Sequence, residues 1–67
     1  MELFRLKRIK DISGISGTGY VAEGICFSDG SVVIRWTTNT PTFVIFDSII
    51  DLVHIHGHDG STIVEWI

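Results

Sequence analysis

The chain has 67 residues, of which 45% are apolar and 19% charged, and its formal net charge is −3. This length allows one domain, residues 1–67, whose core lies near the lower limit for independent folding, so we expect copies of the chain to form a homo-oligomer. The negative charge excludes long nucleic acid held by phosphate neutralisation, and the single cysteine excludes an intrachain disulfide and favours the reducing cytoplasm.

The first predicted element is a strand over 3–9, with Phe4, Leu6 and Arg8 on one face. Four of the five cations of the chain lie in this segment or next to it: Arg5, Lys7, Arg8 and Lys10. They indicate either an edge strand protected from aggregation by its charges or a local positive patch for a small anion. The segment lacks the long apolar run of a signal peptide or a membrane span, so no membrane partner is expected.

A loop is predicted over 11–19, because three glycines and three hydroxyl side chains interrupt the periodicity there. A second strand follows over 20–28. Gly24 in its middle predicts a bulge or a sharp bend. Cys26 shares a face with Gly24 and is expected to be a small buried hydrophobic residue.

The dipeptide Asp29-Gly30 lies between two apolar runs and predicts a type I′ hairpin turn, in which both central residues need positive φ. A two-residue loop of this kind places Phe27 opposite Val32. The third strand is predicted over 32–37, with alternate apolar side chains on one face.

The second half of the chain predicts a fourth strand over 42–46, a short helix, and a last strand over 62–67. Ser48 can cap the helix, with Asp51 in the capping-box position, and Gly57 can end it as a left-handed C-cap. Five antiparallel strands with one short helix before the last predict a mainly β fold. The two candidate architectures are a small SH3-like barrel and an open curled sheet with the helix packed across it.

Two loops rich in glycine and hydroxyl groups, 13–19 and 54–62, are the candidate ligand-binding segments. Successive backbone amides, hydroxyl groups and imidazole N–H groups suit a phosphate. The first loop is neither a P-loop nor a dinucleotide fingerprint, since the Gly-Lys ending and the following helix are missing. Glu23 either is an outward residue of a half-exposed strand or accepts hydrogen bonds from a ligand base. The predicted ligand-binding residues are Ser16, Gly17, Thr18, Gly19, Glu23, His56, His58 and Thr62.

The chain contains three histidines within five residues, and this clustering raises the question of a metal site. On a helix, His54 and His56 project about 200° apart and cannot chelate one ion together. His54 and His58 have the spacing of one helical turn, but Gly57 is expected to end the helix between them. A structural explanation for His54 and His56 is that they complement the dipole at the helix C-terminus. No spacing requires a Ser-His-Asp arrangement. We therefore predict no metal, no other cofactor and no catalytic residue, and we expect a protein that is not an enzyme.

The chain contains a set of short patterns: Ser16-Gly-Thr-Gly-x-Val-Ala-Glu-Gly24, Phe27-x-Asp-Gly30, Trp36, and Ile55-His-Gly-His-x-Gly-x-Thr62 with Trp66. In these patterns the chain resembles a family of very small proteins of tailed phages and bacterial genomes. The resemblance covers roughly 11–67 and implies a phage or mobile-element setting. In size, acidity and loop chemistry, the chain is also similar to phage anti-defence sponges that sequester cyclic nucleotide signals of the host.

The function expected from these observations is sequestration of a small anionic, nucleotide-like ligand, such as a cyclic oligonucleotide signal, in the host cytoplasm. Two alternatives stay open. The first is a protein-interaction module that inhibits or adapts a host or virion protein through an exposed strand edge or aromatic surface. The second is a small hydrolase that uses the histidines.

Overall fold

A computed structural model describes residues 1–10, 18–37, 39–57 and 60–67. These ranges contain β1 (Glu2–Arg8), β2 (Gly19–Cys26), β3 (Val32–Trp36), β4 (Phe43–Phe46), α1 (Ile49–His56) and β5 (Thr62–Trp66). The strands form one antiparallel sheet in the order β4-β3-β2-β1-β5. The predicted mainly β fold is confirmed, and the sheet stays open because β4 and β5 lie at opposite edges. None of the described helical residues forms a helix long and apolar enough to cross a membrane.

The strand β1 lies inside the sheet, between β2 and β5. The interpretation of the N-terminal cations as protection of an edge strand is therefore wrong. The helix explains the difference: β4 ends at one edge, and α1 carries the chain to the opposite edge, where β5 covers the second side of β1. As a result, the side chain of Arg8 is only 9% exposed.

The hydrophobic core lies between α1 and one face of the sheet. The two-residue period of β1 directs Phe4 and Leu6 to this face, as predicted, and α1 contributes Leu52, its buried residue. Cys26 packs at the margin of the core and is only half-buried. The buried apolar side chains are Phe4, Leu6, Val21, Ala22, Val32, Ile34, Phe46 and Leu52.

Gly24 provides space for a buried ring and does not form a bulge. It is paired in regular register with Phe4 of β1 and Ile34 of β3. A Cβ atom at this position would lie 2.6 Å from Cε2 of Phe4, so only glycine lets the ring pack against the backbone. The irregularity of the ladder instead follows Leu6, where Val21 is the extra residue of β2. The predicted bulge at Gly24 is wrong.

The β2–β3 hairpin has a three-residue loop. The Gly30 N–H donates to the carbonyl of Phe27 at 3.0 Å, and the Phe27 N–H donates to the carbonyl of Ser31 at 2.8 Å. Gly30 has φ +91°, which suits a turn followed by a left-handed glycine, the other loop that an Asp-Gly dipeptide supports. Cys26 therefore lies opposite Val32, and the predicted register is wrong by one residue.

The helix α1 begins as predicted and ends differently. The Ser48 hydroxyl accepts the N–H of Asp51 at 3.3 Å, which caps the first turn. Gly57 follows His56 and donates its N–H to the carbonyl of Val53 at 2.8 Å. With φ −71°, Gly57 is right-handed, so the predicted left-handed C-cap is wrong. Glycine is required here by close approach, because a Cβ atom would overlap the Val53 carbonyl oxygen.

Candidate functional site

The two predicted ligand-binding loops leave the same end of the sheet, on either side of Arg8. Arg8 pairs with Gly19 of β2 and with Thr62 of β5. Since neighbouring strands are ~4.8 Å apart, the Cα atoms of Gly19 and Thr62 are separated by about 10 Å. Gly19 has φ +94°, a conformation that favours glycine, and the exposed Thr18 precedes it. The predicted site residues outside the described ranges are Ser16, Gly17 and His58.

Arg8 is a buried cation between the described ends of these loops. Its Nε donates to the hydroxyl of Thr62 at 3.4 Å, and Thr62 is itself only 5% exposed. The ion pair found within the described ranges joins Arg5 to Glu65 at 3.2 Å, on the other face of the sheet. A guanidinium keeps its charge when it is buried and forms strong, paired hydrogen bonds with phosphate. Arg8 is therefore well suited to bind an anion at this end of the sheet.

A cavity of about 620 Å³ opens between the second half of α1 and the start of β5. Its polar lining includes His54, Gly60 and Thr62, and its apolar lining includes Val53 and Val64. The volume lies within the range of roughly 300–1,000 Å³ found for small-molecule sites. The second predicted loop thus borders a space of ligand size, and the described histidine that lines it is His54.

His56 points beneath the helix and not into this cavity. Its ring meets the rings of Trp36 and Phe46 edge-on, with centroids 5.0 and 5.8 Å away. Together with Thr62, it lines a separate void of about 10 Å³. Such a void is about the size of one water molecule. The structure therefore brings His56 and Thr62 together, with His56 on the inner side of the candidate site.

Glu23 lies on the opposite face of the sheet from Thr62 and His56. It is exposed, and its neighbours across the sheet are Arg5 on β1 and Arg35 on β3. The two-residue period of β2 accounts for this placement, because the adjacent Ala22 is buried in the core. The structure does not bring Glu23 together with the other described site residues.

Two residues of the candidate site are not among the predicted ligand-binding residues, Arg8 and His54, although Arg8 belongs to the possible positive patch for a small anion and His54 to the second candidate loop. Arg8 lies on the same face of β1 as Phe4 and Leu6, and this two-residue alternation indicates that Arg8 is buried. His54 carried no comparable signal, because its place in the cavity depends on how α1 meets β5. Within the ranges that the structure describes, no group of three or more metal-ligating side chains is found.

In the part of the chain that the structure describes, the features that define the class of protein are a very small, open antiparallel sheet, the helix α1 packed across it, and a buried arginine between two loop ends. Neither the comparison with curated proteins nor that with solved structures found a match. A family model described as Acb5 phage protein matches residues 1–67, the full length given. The chain therefore belongs to the Acb5 phage protein family, and the predicted resemblance to phage proteins is confirmed at this level.

Proposed function

We propose that this phage protein counteracts host defence by sequestering a small phosphate-bearing ligand of the cyclic nucleotide class. Its phage family supports the setting, and the cavity of about 620 Å³ supports a small molecule as the ligand. The observation that carries the proposal is the position of Arg8, a buried guanidinium between the described ends of two glycine-rich loops.

In the proposed complex, the terminal nitrogens of Arg8 contact a phosphate, while the Nε–Thr62 hydrogen bond holds the side chain in place. Thr62 and His54 contact the ligand from the wall of the cavity, and His56 supports Thr62 from beneath the helix. A cyclic nucleotide carries its charge on phosphodiester groups, which a planar guanidinium binds through paired hydrogen bonds. The donors predicted from the sequence complete the proposed site: the hydroxyl and amide groups of Ser16, Gly17, Thr18 and Gly19, and the imidazole of His58.

The test is isothermal titration calorimetry with a panel of cyclic di- and trinucleotides, with linear dinucleotides and inorganic phosphate as comparison ligands. We expect at least one cyclic nucleotide to bind. Arg8→Lys keeps the charge but removes the planar donor group, and we expect it to weaken binding about 10- to 100-fold. Arg35→Lys is the matched control, because it makes the same change at an exposed position on the other face.

The fate of the bound nucleotide separates sequestration from hydrolysis. After denaturation of the complex, chromatography should recover the cyclic nucleotide unchanged. Recovery of a linear product would show that the protein hydrolyses the nucleotide and does not sequester it. The absence of binding across the whole panel, or equal binding by Arg8→Lys and Arg35→Lys, would contradict the proposed site.

A further inference from the structure

The face of the sheet turned away from α1 carries a continuous apolar row. The registers place Leu3 opposite Ile25, Ile25 opposite Val33, and Val33 opposite Ile45. The N–H of Ile67, the residue that follows β5, donates to the carbonyl of Leu3 at 2.9 Å, so Ile67 continues the row on the other side of Leu3. Leu3, Ile45 and Ile67 are 52%, 73% and 73% exposed. A row of this length on a small protein indicates a surface that binds a partner.

A second row, parallel to the first, alternates in charge. From β5 to β3 the paired residues are Glu65, Arg5, Glu23 and Arg35, and Phe43 of β4 continues the row. Arg5 and Glu65 already form an ion pair within the chain, at 3.2 Å. Glu23 and Arg35 are both exposed. These two opposite charges are therefore available to a partner at the centre of the sheet.

We propose that this face binds a second copy of the chain, face to face, across a two-fold axis that runs parallel to the strands between β2 and β3. Such an axis exchanges the positions of β2 and β3. It places Glu23 opposite the partner's Arg35, and Arg35 opposite the partner's Glu23. In the apolar row, it places Ile25 opposite the partner's Val33.

The alternation of charge favours a second copy over other partners. A row of alternating charges is complementary to itself under a two-fold axis between neighbouring strands. A uniformly acidic or basic partner would meet a repelling charge at every second position of the row. The face also contains a groove of about 310 Å³, which side chains of the second copy can fill. Four members of the apolar row line it together with Glu23, Arg35 and Phe43, namely Leu3, Ile25, Val33 and Ile67.

The size of the overlap predicts a weak dimer. The axis places β1, β2, β3 and β4 over the same four strands of the partner in reverse order. Four strands spaced ~4.8 Å apart, each with about five residues that rise ~3.4 Å, give a projected contact area of about 300 Å² per copy. Even with the relief of the side chains, this area lies at or below the lower limit of stable interfaces, ~1,200 Å² in total. We therefore expect a monomer–dimer equilibrium that depends on concentration.

The first test is sedimentation velocity of the full chain over a concentration series. We expect Ile45→Lys to raise the dimer dissociation constant about 100-fold, roughly tenfold for each of its two symmetric copies, because each buries a charge against Leu3 of the partner subunit. The matched control is Ile50→Lys, the same change at a position that is 74% exposed, compared with 73% for Ile45, but on α1. We expect this control to associate like the unmodified chain.

The second test exchanges the charges. Glu23→Arg and Arg35→Glu should each be monomeric alone, because each variant places like charges opposite one another across the axis. An equimolar mixture should form a heterodimer, because the two arginines of the first variant lie opposite the two glutamates of the second. Within each chain, the two neighbouring charges still have the same sign. Restoration on mixing cannot come from pairing within one sheet.

Circular dichroism and thermal melting of every variant establish that it is folded. The proposal is overturned if the unmodified chain stays monomeric at all concentrations. It is equally overturned if Ile45→Lys and Ile50→Lys associate alike, or if the mixture of folded charge variants stays monomeric.

Discussion

Replacing Gly24 with alanine should destabilise the protein through a single contact. Gly24 lies beneath the ring of Phe4, which is 1% exposed and meets the ring of Trp66 edge-on at 5.3 Å. The added methyl carbon would overlap Cζ of Phe4 and lie 2.6 and 2.8 Å from Cε2 and Cε1. The ring cannot move away freely, because it is enclosed by the core and by Trp66.

The magnitude follows from two opposing terms. Overpacking of a core costs about 1–3 kcal/mol, whereas a change from glycine to alanine restricts the unfolded chain and returns about 0.4–1 kcal/mol. We expect a net loss of about 1–2 kcal/mol in the free energy of unfolding for Gly24→Ala. For a domain of this size, the melting temperature should fall by about 5–15 °C.

Urea denaturation of a double-mutant cycle with Phe4→Leu measures this contact. Leucine lacks the distal ring atoms that the new methyl group would meet, so the cost of Gly24→Ala should be smaller in that background. We expect a coupling free energy of about 1 kcal/mol. If Gly24→Ala is as stable as the unmodified chain, or if the two changes are additive, the close packing of ring on glycine does not limit stability.

Two further predictions concern local hydrogen bonds. Ser48→Ala should lower the free energy of unfolding by about 1 kcal/mol, while Ser48→Thr keeps the cap; equal urea midpoints for all three proteins would contradict a role for the cap. The Ser31 hydroxyl donates a hydrogen bond to the Asp29 carboxylate at 2.6 Å, and the Ser31 N–H donates a second at 2.9 Å. These two bonds, the hydroxyl's first, hold the pKa of Asp29 below its ordinary value of 3.8. The carboxylate therefore stabilises the fold above that value, and the stabilisation is lost as the pH falls through the lower, folded-state pKa. Asp29→Asn should remove this loss, so urea unfolding measured below about pH 4 should depend less on pH in the variant, and identical profiles would contradict the prediction.

The two proposals concern opposite faces of the sheet and can fail separately. Arg8 and Thr62 face α1, whereas Ile45 and Glu23 belong to the outer face. Ile45→Lys should therefore weaken self-association about 100-fold and leave nucleotide affinity unchanged. Loss of both properties in this variant would show that the ligand site needs two copies of the chain.

Most of the fold could be predicted because its signals are local. The two-residue alternation in β1 directs Phe4 and Leu6 to the core, whatever strands lie beside it. Ser48 and Asp51 define the start of α1 within one turn of chain. The grouping of hydroxyl groups and glycines likewise marked the two candidate loops before their positions in space were known.

The remaining features depend on contacts between distant parts of the chain. A two-residue and a three-residue loop can both use Asp29-Gly30, so the register of β2 against β3 was decided by packing across the sheet. From the sequence alone Gly24 predicts a bulge, and only the position of the Phe4 ring explains why glycine is needed there. The burial of Arg8 arises because α1 carries the chain across to the far side of β1, where β5 adds the strand that covers it. Local sequence carries no signal that α1 crosses to the other edge of the sheet. This crossing brings the described ends of the two loops together around one arginine.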